Sequence, residues 1–573
     1  MSPDSTQRQR MGMAIVVLLC GSGLFLLWKG LGSNGAVPTA ERTTTAAVRP
    51  EKGSTMGPPV EGGMAPPNGV NPGTGVYTQD APSDSTKTDR AAVCPGCDVV
   101  LITVCSLRKD YLGAFGYPSE ISPSVDALAK RSFRFEKAYA ASNFTLASLT
   151  AILTGRYGSA TGVTGWDKGL TQKVPTLPEI LGLYGYRTGG FTTDAPSGFR
   201  PDYGLDRGFQ HLEITPAPRN SPDGRYRGNQ LEPAGSVADS PLAWLSDQPK
   251  DAPVFLMMHT RTAHFPFVIQ PPEEGEDPTG VLQLLWEAGQ EEAMSRPDQA
   301  MPGMAGGTKQ EGIVEIVRED PLQTLVNKLG EPATRAWKEA YASAVNLMDA
   351  DVKALMEGIE ERGRPTVVIL VADHGESLND HGELLHGDAF FDGVINVPLI
   401  ISVPGMSPDS SGINRVVSQT DILPTVLDLV GAVKPAGIDG KSLLSLMSGK
   451  DADEQRLVLS EGGVARQIGP DLPGAVITDS WILLKQRRGC GSGQQRGPRV
   501  TDGTMQVCLY DAQTDPGQTI EQAHANKEVV TDLLERWKGF QKAHGQAGES
   551  RNLSPAFIEE LRKSGYDFSK GAP

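Results

Sequence analysis

The chain has 573 residues and carries 69 acidic against 53 basic side chains, a formal net charge of -16 at pH 7. That balance excludes a nucleic-acid partner, whose binding surface is basic, but not a local anion site, because a cation can reverse the field inside one cleft. With 21% charged residues and aliphatic runs set between helical patterns, the class is globular α/β.

Residues 1–10 end in Arg8 and Arg10. Met11 to Trp28 follow without a charge, a run that reads as a transmembrane anchor or a signal sequence. No small-x-small site ends it cleanly. The anchor reading makes 1–10 a cytoplasmic N-terminus. It makes the chain a single-pass protein of the cell membrane, with its globular part on the periplasmic or extracellular side. Residues 29–95 are rich in Pro, Gly and Thr without apolar periodicity, and read as a disordered linker.

Asp98–Val104 is the first core strand, with Cys105 and Ser106 at its carboxyl end. A helix is expected over 124–131, a strand over 133–139, and a loop into a helix from Asn143 to Gly155. Thr145 stands near the start of that helix. It is placed there either as an N-cap or where free backbone N–H groups hold an anion. A helix over 175–184 and strands over 188–192 and 254–259 follow, the last leading to His264. Residues 271–335 are acidic and irregular and read as an insertion, and 339–361 has helical spacing.

The densest chemistry follows. Val367–Val371 is an unbroken aliphatic run, a strand buried on both faces as in a parallel sheet. Asp373, His374, Gly375 and Glu376 sit directly after it, where open α/β sheets place their ligands. A carboxylate beside an imidazole suits a divalent cation, and Gly375 is expected to let the backbone turn tightly. His381 and His386 crowd into the same segment. Val397–Val403 is a second apolar strand, and 421–430 a helix. From about Leu457 the pattern changes to short strands closed by a helix over 527–544, a smaller antiparallel α+β unit. Cys490 and Cys508 flank a Gly-rich loop, and an exported location favours a disulfide between them. Cys94 and Cys97 read as a tight disulfide or as inert thiols, and Cys105 is the odd thiol, a metal ligand or simply a buried small residue.

In order, the motifs Leu107–Gly113, Thr154–Tyr157, His264–Phe267, Ala372–Leu378, Val397–Ile400, Thr420–Thr425 and Leu509–Asp511 resemble the sulfatase family of the alkaline phosphatase superfamily. The resemblance implies a mostly parallel sheet flanked by helices over 96–450, interrupted by the insertion at 271–335. It also implies a C-terminal antiparallel subdomain over 451–545 and a tail over 546–573. The departures fall in the site. Cys105 and Ser106 stand where the family carries Asp ligands on the first strand. The segment Thr145-Leu146-Ala147-Ser148-Leu149 stands where the family has its Cys- or Ser-x-Pro-x-Arg motif, and threonine cannot become formylglycine by the family's route. Thr193 to Ala195 stand near the usual Lys and His, and Thr161 replaces a further His.

The resemblance therefore implies an enzyme that hydrolyses or transfers sulfate or phosphate esters outside the cytoplasm, with Thr145 as nucleophile. Asp373, His374 and Cys105 are the expected ligands of one divalent metal. A single carboxylate favours zinc over calcium, which takes six to eight oxygens. His264 and His386 are expected to bind ester oxygens or protonate the leaving group. The partner is a sulfated or phosphorylated small molecule, glycan or lipid head group. The other reading is a catalytically degenerate domain that binds or supports structure at the cell envelope, motivated by the losses at Cys105, Ser106, Ala147 and Leu149.

Overall fold

The computed structural model describes residues 92–193, 198–215 apart from 202, 236–267 apart from 266, and 326 and 328–550 with short gaps at 388, 409–411, 451–455, 464–471, 488, 492–493, 496–497 and 547. The expected anchor at 11–28, the linker to residue 91 and most of the insertion lie outside the described residues. Among the described residues no helix is long and apolar enough to cross a membrane.

A large sheet carries the fold. Its strands are β1 (Asp98–Val104), β2 (Phe133–Tyr139), β3 (Arg187–Thr193), β4 (His211–Thr215), β5 (Val254–Thr260), β6 (Thr366–Ala372), β7 (Leu399–Ser402) and β8 (Ile413–Ser418), in the order β8-β2-β7-β6-β1-β5-β3-β4. The two runs richest in β-branched residues, β1 and β6, take the centre, where both faces are covered and every residue but Thr366 is buried. β1 pairs in parallel with β5 and with β6; only β7 runs against its neighbours. The sheet is mostly parallel, as the resemblance implies. β4 and β8 were not expected. Both lie at sheet edges, β4 is largely exposed or half-buried, and β8 carries a register shift between Ile413 and Val416, so neither shows a clean apolar run.

Helices α1 (Pro123–Lys130), α2 (Thr145–Thr154), α3 (Leu177–Leu183), α4 (Asp239–Asp247), α5 (Glu331–Arg362), α6 (Asp392–Ile395) and α7 (Ile422–Val430) join and cover these strands. α5 begins at Glu331 rather than Glu339, so residues 331–335 belong to a helix and not to the expected insertion. Gly330 precedes it, Pro332 lies in its first turn, where no N–H is needed, and buried Ala333, Ala336, Trp337 and Ala340 give it an apolar face.

A second, antiparallel sheet has strands β9 (Val458–Glu461), β10 (Gly474–Ile477), β11 (Trp481–Gln486), β12 (Val500–Asp502) and β13 (Met505–Asp511), ordered β9-β10-β11-β13-β12. Helix α8 (Lys527–His544) buries Val530, Leu533 and Trp537. Cys490 is bonded to Cys508 and Cys94 to Cys97. Part of the expected tail is paired: Glu549 and Ser550 form a short antiparallel ladder with Gly169 and Lys168.

Candidate active site

Strand register sets the site. Val104 pairs with Ala372 on one side and Thr260 on the other, so β1, β5 and β6 end at one level. The residues beyond them are Cys105, Arg261 and Asp373. Their loops can carry polar groups there because the parallel ladders have already satisfied the strand backbones.

Asp373 is wholly buried. Its Oδ1 accepts from the Ser106 N–H at 3.1 Å and the His374 N–H at 2.6 Å. Ser106 reaches that position with a left-handed backbone, φ 61°. Asp373 Oδ2 has no partner beyond the Cys105 thiol. Burial pushes the Asp373 carboxyl up, but His374, His259, the thiol and the backbone donor outweigh it and hold the group below its ordinary range, ionised. Burial and the neighbouring Asp373 push the Cys105 thiol well up.

Gly375 is needed for close approach rather than for a turn. Its φ is not positive, and a Cβ there would lie 2.1 Å from the Gly393 carbonyl oxygen of α6. The Gly375 N–H donates to Val394 O at 2.6 Å, which presses the loop onto α6.

Thr145 is the first residue of α2. Phe144 is the N-cap and makes no side-chain cap bond, so the N-cap reading of Thr145 is corrected by one position. Its hydroxyl faces inward instead. Oγ1 lies 3.4 Å from Cys105 Sγ and 3.3 Å from His374 Nε2. His374 Nδ1–H donates to the Gly375 carbonyl at 2.8 Å, which leaves a lone pair on Nε2 facing the hydroxyl. Burial lowers the His374 pKa to about 4, so the ring is neutral at pH 7. His374 Nε2 is also 3.5 Å from Asp373 Oδ2 and 4.0 Å from Cys105 Sγ. The structure thus brings together four of the sequence-derived site residues: Cys105, Thr145, Asp373 and His374.

The other two are beside them. His386 packs against His374 with ring centroids 4.2 Å apart and the planes tilted by 35°, and His264 lies 4.9 Å from His386. His386 Nδ1 is 3.1 Å from Glu376 Oε1, and burial raises Glu376 to about 8. The His264 Nδ1–H donates to the Phe265 carbonyl, and its Nε2 accepts from the Arg261 guanidinium at 3.0 Å. Burial and Arg261 hold His264 well below its ordinary pKa. His381 is elsewhere engaged, stacked on Phe391 with centroids 4.0 Å apart.

Sequence reasoning missed two groups. Arg261 is buried with its charge close enough to pull on the Cys105 thiol, and its backbone N–H donates to Thr193 Oγ1 at 2.8 Å. A cation three residues before His264 was the available signal. His259, within β5, is the second; a ring nitrogen of it, Cys105 Sγ and an Asp373 oxygen lie within 4.8 Å of one another. Where the family motif carries Pro and Arg, Ala147 and Leu149 are packed into the apolar core.

The profile of the sulfatase family matches residues 98–432, more than half of the chain. The Delta 4,5-hexuronate-2-O-sulfatase of Bacteroides thetaiotaomicron is 25% identical over 379 residues, 63% of this chain and 74% of that protein. An arylsulfatase of Clostridium perfringens is 23% identical over 438 residues, 68% of this chain and 86% of its own. Among solved structures, the phosphonate monoester hydrolase of Agrobacterium radiobacter superposes with a TM-score of 0.56 at 20% identity, covering 80% of this chain and 100% of that one.

Proposed function

Because the chain belongs to the sulfatase family, whose members generally hold a divalent metal, we propose that it cleaves or transfers a sulfate or phosphate ester, with Thr145 as nucleophile. The single observation that carries the reading is the Thr145 hydroxyl, 3.3 Å from the lone pair of His374 Nε2 and within reach of no fixed cap role. The proton of Oγ1 passes to His374 Nε2 as the oxygen attacks sulfur or phosphorus. The bond to the leaving oxygen breaks on the opposite side; His386 gives that oxygen its Nε2–H while its Nδ1 takes the proton of Glu376, which burial keeps protonated at pH 7. Water, or an acceptor alcohol in a transfer reaction, then releases the group from Thr145. Arg261, set by His264, supplies the buried positive charge that the family motif's Arg would have brought, and it neutralises the equatorial oxygens.

A divalent ion fits between Asp373 and Cys105, with an imidazole of His374 or His259 as a further ligand. Asp373 Oδ2, which makes no hydrogen bond to a nitrogen or oxygen, supports this. The donor set holds one carboxylate, a thiol and imidazoles, which favours zinc over calcium. When bound, such an ion would polarise the ester and lower the pKa of a nearby hydroxyl. The substrate class is a sulfated or phosphorylated small molecule, glycan or lipid head group. The charge-free run at 11–28 supports placement at a membrane, outside the cytoplasm.

Metal-supplied protein is assayed with phenyl sulfate, phenyl phosphate and a phosphate diester. Thr145→Ala is expected to remove turnover, while Thr145→Ser retains part of it. Turnover that survives Thr145→Ala sinks the nucleophile. Binding of sulfated or phosphorylated ligands without turnover of any ester supports the degenerate reading, which the apolar burial of Leu149 favours.

A further inference from the structure

His259 is a buried group that takes no part in the proton transfers proposed above. It sits opposite Thr103 across the β1–β5 ladder. Thr103 Oγ1 donates to the Met258 carbonyl at 3.3 Å, so it accepts from His259 Nδ1–H at 2.9 Å. That bond fixes the tautomer and leaves a lone pair on Nε2, which is wholly buried and has no hydrogen-bond partner. Asp373 Oδ2 is also buried nearby; beside the Cys105 thiol it makes no hydrogen bond to a nitrogen or oxygen. Polar atoms in a dry interior normally find partners, and a histidine, a carboxylate and a thiol with ligand atoms within 4.8 Å of one another point to a cation among them.

We propose that Cys105, His259 and Asp373 bind a zinc-class divalent ion as thiolate, imidazole and carboxylate, leaving His374 to orient Thr145. The proposal rests on the reading of Cys105 and Asp373 as ion ligands and exchanges the expected nitrogen ligand. The two imidazoles differ in what they already do. His374 Nε2 faces the Thr145 hydroxyl at 3.3 Å, whereas His259 Nε2 makes no hydrogen bond. A tetrahedral zinc with bonds of about 2.0–2.3 Å sets its ligand atoms about 3.3–3.8 Å apart. The three atoms here lie within 4.8 Å of one another, so a shift of about 1 Å closes the shell. A calcium or magnesium shell of six or more oxygens has one carboxylate to draw on. Cys105 and Ser106, standing where first-strand carboxylates are expected, thus change the class of ion.

The full chain is stripped with a chelator and titrated with cobalt(II), followed by its visible spectrum and by metal analysis. The expected result is about one cobalt per chain, with a thiolate-to-cobalt band and the strong visible absorption of a four-coordinate ion. Zinc displaces it and excess calcium does not. Cys105→Ser removes the thiolate band, and His259→Gln weakens binding at least about tenfold, while His374→Gln keeps the band. Thr103→Val frees the His259 tautomer and weakens binding by about ten- to a hundredfold; being nearly isosteric, it carries the test even where His259→Gln fails to fold. The proposal is overturned by wild-type protein without a thiolate band, the result left by water bridging the two acceptors. Cobalt affinity unchanged in both His259→Gln and Thr103→Val, or stoichiometric calcium in the purified protein, also overturns it. Ester turnover is read separately. Cobalt binding without turnover sinks the enzyme reading alone, and turnover without a thiolate band sinks this one alone.

Discussion

Asp98→Asn tests what holds the strand ends beneath the site. Asp98 is 1% exposed at the start of β1, where Arg362 Nε donates to Oδ2 at 2.7 Å and Arg364 Nε to Oδ1 at 2.9 Å. The Val254 N–H donates to the same Oδ1 at 3.0 Å. One carboxylate therefore ties the starts of β1 and β5 to the end of α5 and the approach to β6. Those three strands deliver Cys105, His259 and Asp373 at their far ends. Asn keeps the shape but removes the charge and turns an N–H₂ toward a guanidinium. Arg364 can move into water, but the Arg362 side chain is 5% exposed and cannot. Uncompensated burial of one partner of such a pair costs about 3–5 kcal/mol. Arg362 keeps carbonyl acceptors on Leu245, Gln248, Pro249 and Ala252, which places the loss near the lower figure, about 3 kcal/mol. Urea unfolding at neutral pH measures it as a fall in midpoint at constant slope. Arg364→Gln, the more exposed arm, should cost about 1 kcal/mol or less. A loss below about 1 kcal/mol for Asp98→Asn refutes the clamp.

Gly375→Ala forces a Cβ against the Gly393 carbonyl and is expected to cost roughly 1–3 kcal/mol by overpacking; a thermal melt and the cobalt spectrum check that stability and the cluster suffer together. Arg261→Gln removes the buried charge beside His264 and should weaken inhibition by inorganic sulfate or phosphate about tenfold or more, measured by competition against phenyl ester turnover or by direct titration. Burial raises Glu376 to about 8, so in chelated protein its contribution to stability is complete below the ordinary carboxyl range and is lost as pH rises through about 8. The unfolding free energy from urea titrations should therefore fall across that window by about 1.4 kcal/mol per pH unit, and Glu376→Gln should flatten the slope; an unchanged slope contradicts the assignment. The Cys490–Cys508 bond closes an 18-residue separation, so the double Ser variant should lose about 3 kcal/mol by unfolding titration.

The central strands were legible because burial on both faces writes itself as an unbroken aliphatic run, as in Val367–Val371. Asp373, His374 and Thr145 were legible from position, at a strand end and a helix start. The edge strands β4 and β8 were not, because half-exposed residues carry no such run. His259 could not be read either. Inside Val254–Thr260 a histidine looks like a core residue, and its hydrogen bond to Thr103 depends on a register that no local pattern encodes. Arg261 was hidden for a related reason: its partner His264 is near in sequence, but the thiol it acts on arrives from another strand. Gly375 was noticed for the wrong property. A sequence displays the freedom of glycine, whereas the lack of a side chain matters only once Gly393 is seen beside it.

The neighbouring order β5-β1-β6 has a thermodynamic consequence. Cys105, His259 and Asp373 come from three separate stretches of chain, and no short segment contains all of them. In an unfolded chain these three ligands are far apart, so the site itself belongs to the assembled sheet. Any ion held there is therefore linked to folding by mass action. A free concentration a hundred times the Kd adds about 2.7 kcal/mol to the folded state. The melting temperature of this protein should then track the free metal concentration of its surroundings, and a chelator should act on it as a mild denaturant.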